Sequence, residues 1–130
     1  MAIYYNGHLQ ATKGGGGSSG GGGIDYSTTE QNTGLKWIDG KPIYQKTFNI
    51  TAVNTYINFN DLNIDSFCRV DGLVKTTSNA VVGIFANGGN DYVCNLEIDY
   101  SNMRMQLLMS GWVFSSGFAT IYYTKTTDTV

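Results

Sequence analysis

The sequence predicts an all-β protein, a single antiparallel β-sandwich of jelly-roll-like form, and three observations support this prediction. Short segments of extended pattern recur about every 8–12 residues and are separated by turn residues. The chain of 130 residues has 1 proline, 9 tyrosines and only 14% charged residues, which is typical of a β-domain with hydroxyl-rich faces. No amphipathic helical pattern is longer than a turn or two.

The chain divides into a peptide (1–13), a glycine tract (14–23) and a domain (24–130). Gly14–Gly23 reads GGGGSSGGGG, so it has no apolar side chain to bury and should form a flexible linker. Its typical end-to-end distance is about 17 Å and its full reach is about 35 Å. Engineered linkers have the same composition, but we favour a natural tether. The arrangement indicates that one end of the chain attaches while the other reaches out.

The N-terminal peptide carries a short apolar patch at Ile3, Tyr4 and Tyr5. The peptide is too short to fold alone, so it is either a frayed tail or a segment that docks onto another protein. Adjacent tyrosines exceed what a solubilising leader needs, and we favour docking. It lacks the apolar core of a signal peptide, so we expect no secretion.

The first part of the domain, Tyr26–Phe48, contains a polar run, a short strand, a turn and a second strand. Ser27–Thr33 should be a surface loop, and Leu35–Ile38 a strand piece. Asp39-Gly40 is a turn pair. The remaining expectations are that Ile43–Phe48 is extended and that Trp37 and Tyr44 belong to the core.

Two alternating segments predict a hairpin in the second half of the domain. Tyr92–Tyr100 and Met103–Leu107 alternate apolar and polar residues on either side of a Ser-Asn turn. In this hairpin Arg104 should face Glu97 or Asp99 across the strands.

Three further elements complete the expected sandwich. Ala80–Ala86 is a nearly continuous apolar run, which predicts a central strand. Ser66–Thr76 should be a strand with Cys68, Val70 and Val74 in phase and a bulge at Gly72. Asn60–Asn63 should form a turn that Leu62 and Ile64 anchor to the core, and Phe118–Lys125 the last strand.

Charge and composition exclude several classes of function. The net charge of −2 and the pI near 5.1 argue against nucleic-acid binding, which needs a basic face. The sequence contains no stretch of about twenty apolar residues that could span a membrane. Cys68 and Cys94 should be reduced, buried thiols, with a disulfide as the less favoured alternative.

We expect no enzyme, no cofactor and no metal site. His8, the single histidine, lies outside the domain, so Ser-His or Cys-His catalysis and a histidine zinc site are excluded there. Glu97 and Asp99 have a spacing that inverting glycosidases use, but a solvated strand face is the better interpretation. Asn87–Asp91 offers oxygen ligands for Ca²⁺, but a hairpin loop explains it more simply.

A binding function remains, and aromatic residues on loops are the best candidates for contacts with a ligand. Trp112 stands between two serine-glycine breaks and should lie on a loop. The expected ligand or glycan contacts are Trp112, Phe114, Asn87, Asn90 and Asp91, and the expected subunit interface is Thr120, Tyr122 and Thr124.

Two blocks of the sequence resemble small β-rich domains of bacteriophage virion proteins. Residues 27–47, STTEQNTGLKWIDGKPIYQKT, and the ending YTKTTD at 123–128 are similar to blocks found in the distal ends of tail and head fibres and related appendages. The resemblance implies a trimeric knob on the virion surface that often engages host glycans. In this setting the N-terminal peptide would bind the major capsid protein or a tail protein.

This chain departs from long fibres because it has no shaft. The departure weakens the receptor-binding expectation and favours a short head fibre or a decoration protein, with a tail-fibre-type appendage as the other form. The alternative is a stand-alone carbohydrate-binding module without a virion role, which would want a secretion signal.

Overall fold

The structure, a computed structural model, describes residues 4–5, 8–9, 26–89 and 91–130. The tether predicted at 14–23 and most of the peptide at 1–13 lie outside these residues. The fold is built from antiparallel strands, which confirms the predicted all-β sandwich. The strands are β1 (Tyr4–Tyr5), β2 (His8–Leu9), β3 (Gln31–Lys36), β4 (Pro42–Ile50), β5 (Ile57–Asn58), β6 (Ile64–Thr76), β7 (Val81–Gly83), β8 (Phe85–Asn87), β9 (Val93–Asp99), β10 (Arg104–Ser110) and β11 (Phe114–Lys125).

Two sheets form the sandwich, and β1 and β2 pair separately with each other. One sheet has five strands in the order β3-β4-β11-β6-β7, and the other has four in the order β5-β10-β9-β8. The last strand, β11, lies at the centre of the larger sheet, where it pairs with β4 on one side and β6 on the other. The end of the chain is therefore needed to complete this sheet.

The core lies between the two sheets and takes side chains from both. Alternate residues of β11 point inward: Ala119, Ile121 and Tyr123 are fully buried. The smaller sheet supplies Met105 and Leu107 opposite them. Further core residues are Ile50, Phe59, Leu62, Ile64, Val74, Ile84, Cys94 and Leu96.

The β9–β10 hairpin confirms the prediction made for its two segments. The register runs from Arg104 opposite Asp99 to Ser110 opposite Val93. The Arg104 guanidinium Nε lies 3.1 Å from Asp99 Oδ2, as expected for one of its two candidate partners. The period-2 pattern succeeded here because one face of this hairpin is buried and the other is solvated.

The prediction of a central strand at Ala80–Ala86 is wrong. The run instead forms two edge strands: β7 at the edge of the larger sheet and β8 at the edge of the smaller one. Ile84 lies between them and is buried, while the side chains of Val81 and Phe85 are mostly exposed. An unbroken apolar run can therefore also mark the place where a chain crosses between sheets.

The bulge expected at Gly72 also lies elsewhere. Gly72 pairs regularly with Ala119, whereas the register shifts where Tyr122 faces Arg69 and Tyr123 faces Phe67. Cys68 is thus the extra residue, and it falls out of phase with the inward-facing Val70. The bulge lets Phe67 pack against the core although it lies an odd number of residues from Val70.

The first block is more ordered and less buried than predicted. Ser27–Thr33 is not all loop, because β3 begins at Gln31. Trp37 is only half-buried and lies outside the core cluster, and Ile38 is almost fully exposed. Tyr44 does pack against the core, stacking on Tyr123 with ring centroids 6.2 Å apart.

The link between β5 and β6 is a single 3-10 turn at Asn60–Leu62, anchored as predicted by the buried side chains of Leu62 and Ile64. The predicted turn at Asp39 and Gly40 is also present, with the Gly40 N–H donating to Trp37 O. Among the described residues, no helix is long and apolar enough to cross a membrane.

Candidate ligand-binding groove

The outer face of the five-stranded sheet carries an open groove of about 740 Å³. Its floor comes from the three central strands β4, β11 and β6, whose registers align outward-facing residues in rows. The groove is lined by Tyr26, Ser27, Thr28, Thr47, Asn49, Arg69, Asp71, Gly72, Leu73, Phe118 and Thr120.

The middle row of the floor is polar and internally bonded. Thr120 faces Thr47 on one side and Asp71 on the other. The Thr47 and Thr120 hydroxyl oxygens are 2.7 Å apart, so one donates to the other. Thr120 is fully buried, whereas Thr47 and Asp71 remain partly accessible and can bond a ligand.

The next row is largely apolar. Asn49 and Leu73 face Phe118 from its two neighbouring strands. The Phe118 side chain is 38% exposed and Leu73 is 46% exposed, although both lie on the face away from the core. Apolar groups kept accessible beside an exposed amide make a surface that can contact an amphipathic ligand.

One wall of the groove is the segment Tyr26–Thr28, which lies along β4. The Thr47 N–H donates to Ser27 O at 2.8 Å and fixes this segment to the sheet. The Tyr26 ring is mostly exposed, and its hydroxyl oxygen lies 3.5 Å from that of Tyr122. Burial and this contact with Tyr26 raise the pKa of Tyr122, which keeps its hydroxyl protonated as a donor.

The charged groups of the groove neutralise each other. Arg69 Nη2 lies 2.9 Å from Asp71 Oδ2, and the guanidinium also lies over the Tyr122 ring, 5.1 Å from its centroid. Arg69 is thereby held in place by a carboxylate and an aromatic face. Among the residues that the structure describes, no other charged residue lines the groove, so this described lining is close to electrically neutral.

Part of the ligand set predicted from sequence does come together in the structure, but it lies outside the groove. The Trp112 ring lies 5.3 Å from that of Tyr92 and packs over Gly88, so it contacts the loop that carries Asn87 and Asp91. Trp112 is half-buried and touches the core. None of Trp112, Asn87 and Asp91 lines the groove.

Of the two remaining predicted ligand contacts, the structure describes only Phe114. Phe114 begins β11, faces Thr76 and packs against the core. Asn90 lies outside the described residues. The predicted anchor also falls largely outside the described residues. Ile3 is not among them, and only the backbone of Tyr4 and Tyr5 is described, in β1.

The residues predicted to form a subunit interface lie on the groove face, but two of them are used within the chain. Thr120 and Thr124 are fully buried; the first bonds Thr47, and the hydroxyl of the second accepts from the Ser66 N–H at 3.2 Å. Only Tyr122 is partly accessible. The groove residues Phe118, Leu73 and Tyr26 are more exposed than these three.

Charged groups from both recognised sequence blocks meet at one end of the sandwich. Lys125 Nζ lies 2.5 Å from Glu30 Oε2 and sits over the Tyr44 ring. The Asp128 carboxylate next to the Tyr44 hydroxyl raises the pKa of that tyrosine. Lys41 donates to Asp65 Oδ2 at 2.7 Å, and this bond raises the pKa of Lys41.

The carboxylates considered for catalysis are engaged in hydrogen bonds. Asn102 and Arg104 bond Asp99, and the Asn102 side chain together with Arg104 lowers the pKa of that carboxyl, opposite to the shift that a general acid needs. Gln106 donates to Glu97 at 2.6 Å. In 26–89 and 91–130, no three acidic, histidine or cysteine side chains are placed to hold a metal ion.

Most of the groove could not be predicted from sequence. Its floor depends on registers between β4, β11 and β6 that no local pattern specifies, and its wall lies in a segment interpreted as a plain loop. One signal was available: Phe118 and Leu73 occupy positions that alternate out of the core, where a polar residue is usual.

Three comparisons with known proteins return nothing. No protein-family model matches the sequence, and neither a curated protein nor a solved structure matches it.

Proposed function

We propose that this chain is a bacteriophage virion structural protein, a short head-fibre, decoration or tail-fibre-type appendage that displays a β-sandwich knob. The observation that carries the proposal is the pair of sequence blocks at 27–47 and 123–128 that resemble such domains. The all-β sandwich is compatible with a knob of this kind.

The positions of the two blocks support treating them as one signature. The first block forms most of β3 and β4, and the second ends β11, which pairs with β4 from Gly117 opposite Ile50 to Tyr123 opposite Tyr44. The Glu30–Lys125 ion pair joins them further. Residues far apart in sequence thus form a single piece of sheet, which would explain why they occur together.

In this proposal the two ends of the chain have different roles. The N-terminal peptide, through Ile3, Tyr4 and Tyr5, binds a major capsid or tail protein, and the glycine tract lets the knob stand away from the particle surface. The knob assembles as a trimer and contacts host-surface glycans.

The anchoring role is tested by deleting residues 1–13 from the chain expressed during infection. We expect the truncated knob to fold, by circular dichroism, but to be absent from purified particles by mass spectrometry. Shortening 14–23 to half its length is the matched control, since it keeps the peptide and should preserve incorporation. Incorporation of the truncated chain at the full-length level would contradict the anchor.

A stand-alone carbohydrate-binding module is the second candidate, and the accessible aromatic groups of the groove favour it. The two functions predict different locations for the same protein. Immunogold labelling of purified particles should decorate the virion surface if the first proposal is correct. Particles without the protein, together with glycan binding by the free chain, would favour the second.

A further inference from the structure

We propose that the groove on the outer face of the five-stranded sheet binds a neutral oligosaccharide. This inference deepens the proposed function, on whose adhesive role it rests, by naming the surface and the class of ligand. The bound sugar lies against Phe118 and the Tyr26 ring and bonds Asn49 and the Arg69–Asp71 pair.

The size and form of the groove fit a short saccharide. Its volume of about 740 Å³ falls within the range of roughly 300–1,000 Å³ that small-ligand sites occupy. The groove is open, and its lining residues span β4, β11 and β6, so a ligand lies across strands and not in the core. An internal stretch of a longer glycan fits such a groove.

The charges of the groove select against an acidic ligand. Arg69 is already paired with Asp71 at 2.9 Å, and an anion would have to displace that carboxylate or lie beside it. A neutral sugar meets no such penalty. Its hydroxyls can donate to Asp71 and accept from Arg69 without separating the pair, since both side chains are partly exposed.

The apolar groups suit the faces of sugar rings, which carry C–H groups on one side and hydroxyls at the edge. Phe118 and Tyr26 offer accessible aromatic faces, and Leu73 extends the apolar strip. Asn49 stands directly opposite Phe118 in the register and supplies an amide with both a donor and an acceptor. An aromatic platform beside a planar amide recognises both parts of a sugar.

The loop cluster of Trp112 and Tyr92 is a poorer site for the same ligand. Trp112 is half-buried against Tyr92 and Gly88, so much of its ring is already covered. The two surfaces share no lining residue, which makes them separable by substitution.

The test is binding of the full-length chain to an array of neutral, sialylated and sulfated oligosaccharides, followed by titration calorimetry with the best neutral probe. We expect binding to at least one neutral probe. Phe118→Ala should weaken it at least tenfold, and Asn49→Ala at least threefold. Amide shifts in a ¹⁵N correlation spectrum should concentrate at residues 69–73 and 118–120.

Val113→Ala is the matched control, because Val113 is an exposed apolar residue outside the groove and its loss should change affinity less than twofold. Trp112→Ala serves as the rival-site variant. Unchanged thermal midpoints would show that each variant folds. The inference would be overturned if no neutral probe bound or if only acidic probes bound. It would also be overturned if Trp112→Ala abolished binding while Phe118→Ala retained it.

Two other outcomes separate this inference from the proposed function. Incorporation into particles without glycan binding overturns the groove and leaves the virion role standing, whereas glycan binding without incorporation overturns only the virion role. Light scattering identifies a second copy as the occupant: an oligomer that Phe118→Lys dissociates would place a subunit over the groove and overturn the glycan site.

Discussion

Gly72 is a position in the larger sheet at which any side chain would meet backbone. A Cβ at this position would overlap Phe118 O and approach Ile84 Cγ2 to 2.8 Å. The first obstacle is backbone in the central strand, which cannot move without breaking the ladder, and the second is a core side chain. Gly72 therefore lets β11 and the crossing at Ile84 pack closely on β6.

We predict that Gly72→Ala lowers the free energy of unfolding by about 2 kcal/mol or more, because relief of the overlap must shift β6 or β11. Urea denaturation measures the change. Gly83→Ala is the matched control, since a Cβ there meets nothing within 4 Å, and it should change stability by less than about 0.5 kcal/mol. Equal effects of the two substitutions would contradict the close approach at Gly72.

Both cysteines are free thiols in the structure. Burial raises the pKa of Cys68 to about 11, with the Asp39 charge adding to the effect. Burial also raises the pKa of Cys94, which is almost fully covered. Because the thiolate is the reactive form, both residues should be slow to modify near neutral pH.

Iodoacetamide labelling at pH 8 should therefore be at least about tenfold slower for the folded chain than for the chain in urea. The raised folded-state pKa also contributes stability that is complete below the unfolded thiol pKa of about 8.5 and is lost as the pH rises toward about 11. Mass spectrometry of the labelled peptides distinguishes the two sites. Labelling of native Cys68 at the unfolded rate would contradict its protected state.

At the scale of elements, the Glu30–Lys125 pair joins the segment before β3 to the end of β11. Its side chains are 24% and 17% exposed, whereas those of the Arg69–Asp71 pair are 49% and 41% exposed. Less solvent screens the first pair, so its charges should couple more strongly.

A double-mutant cycle with Glu30→Gln and Lys125→Met should give a coupling energy of about 0.5–1 kcal/mol, measured by denaturant unfolding. The cycle with Arg69→Met and Asp71→Asn is the control, with an expected coupling of less than about 0.3 kcal/mol. If the more exposed pair coupled as strongly as Glu30 and Lys125, burial would not be what strengthens the interaction.

The strands that could be predicted from sequence are those with one buried and one solvated face. The β9–β10 hairpin follows from alternation alone, including the Arg104–Asp99 pair. Ala80–Ala86 could not be placed, because an apolar run fits both a central strand and a crossing between sheets. Phe67 and Val70 both pack on the core only because Cys68 is a bulge, and local alternation does not reveal a bulge of this kind.

The candidate site was harder to predict than the fold because it depends on the register of the whole sheet and not on a local pattern. Aromatic residues on loops are visible in a sequence, and Trp112 does lie between β10 and β11, where it packs over Gly88 and beside Tyr92. The groove, however, depends on which residues of β4, β11 and β6 lie side by side. That register is a property of the whole sheet, in which the last strand is inserted between two earlier ones.

At the scale of the whole molecule, we predict that the full chain is a trimer by size-exclusion chromatography with light scattering. Thr120 and Thr124 are buried within the chain, so the interface cannot use these two side chains, and it must leave the groove open if the groove binds a glycan. Tyr122→Ala tests this face of the larger sheet by trimming its partly accessible ring, and Tyr100→Ala, which trims an exposed tyrosine in the turn between β9 and β10, is the control. A monomeric full-length chain would contradict the trimer.

The position of Tyr26 also has a mechanical consequence. Tyr26 lies in the groove wall, and the chain upstream of it leads to the proposed anchor. If the proposed anchor and the proposed glycan site both hold, tension on the particle would enter the knob at Tyr26 and leave through the same groove wall. The force would then cross the Ser27–Thr47 backbone bond and the nearby floor, and it would not stretch the sandwich from end to end. In the proposed role, the knob would therefore bear this load at its groove wall and not across its core.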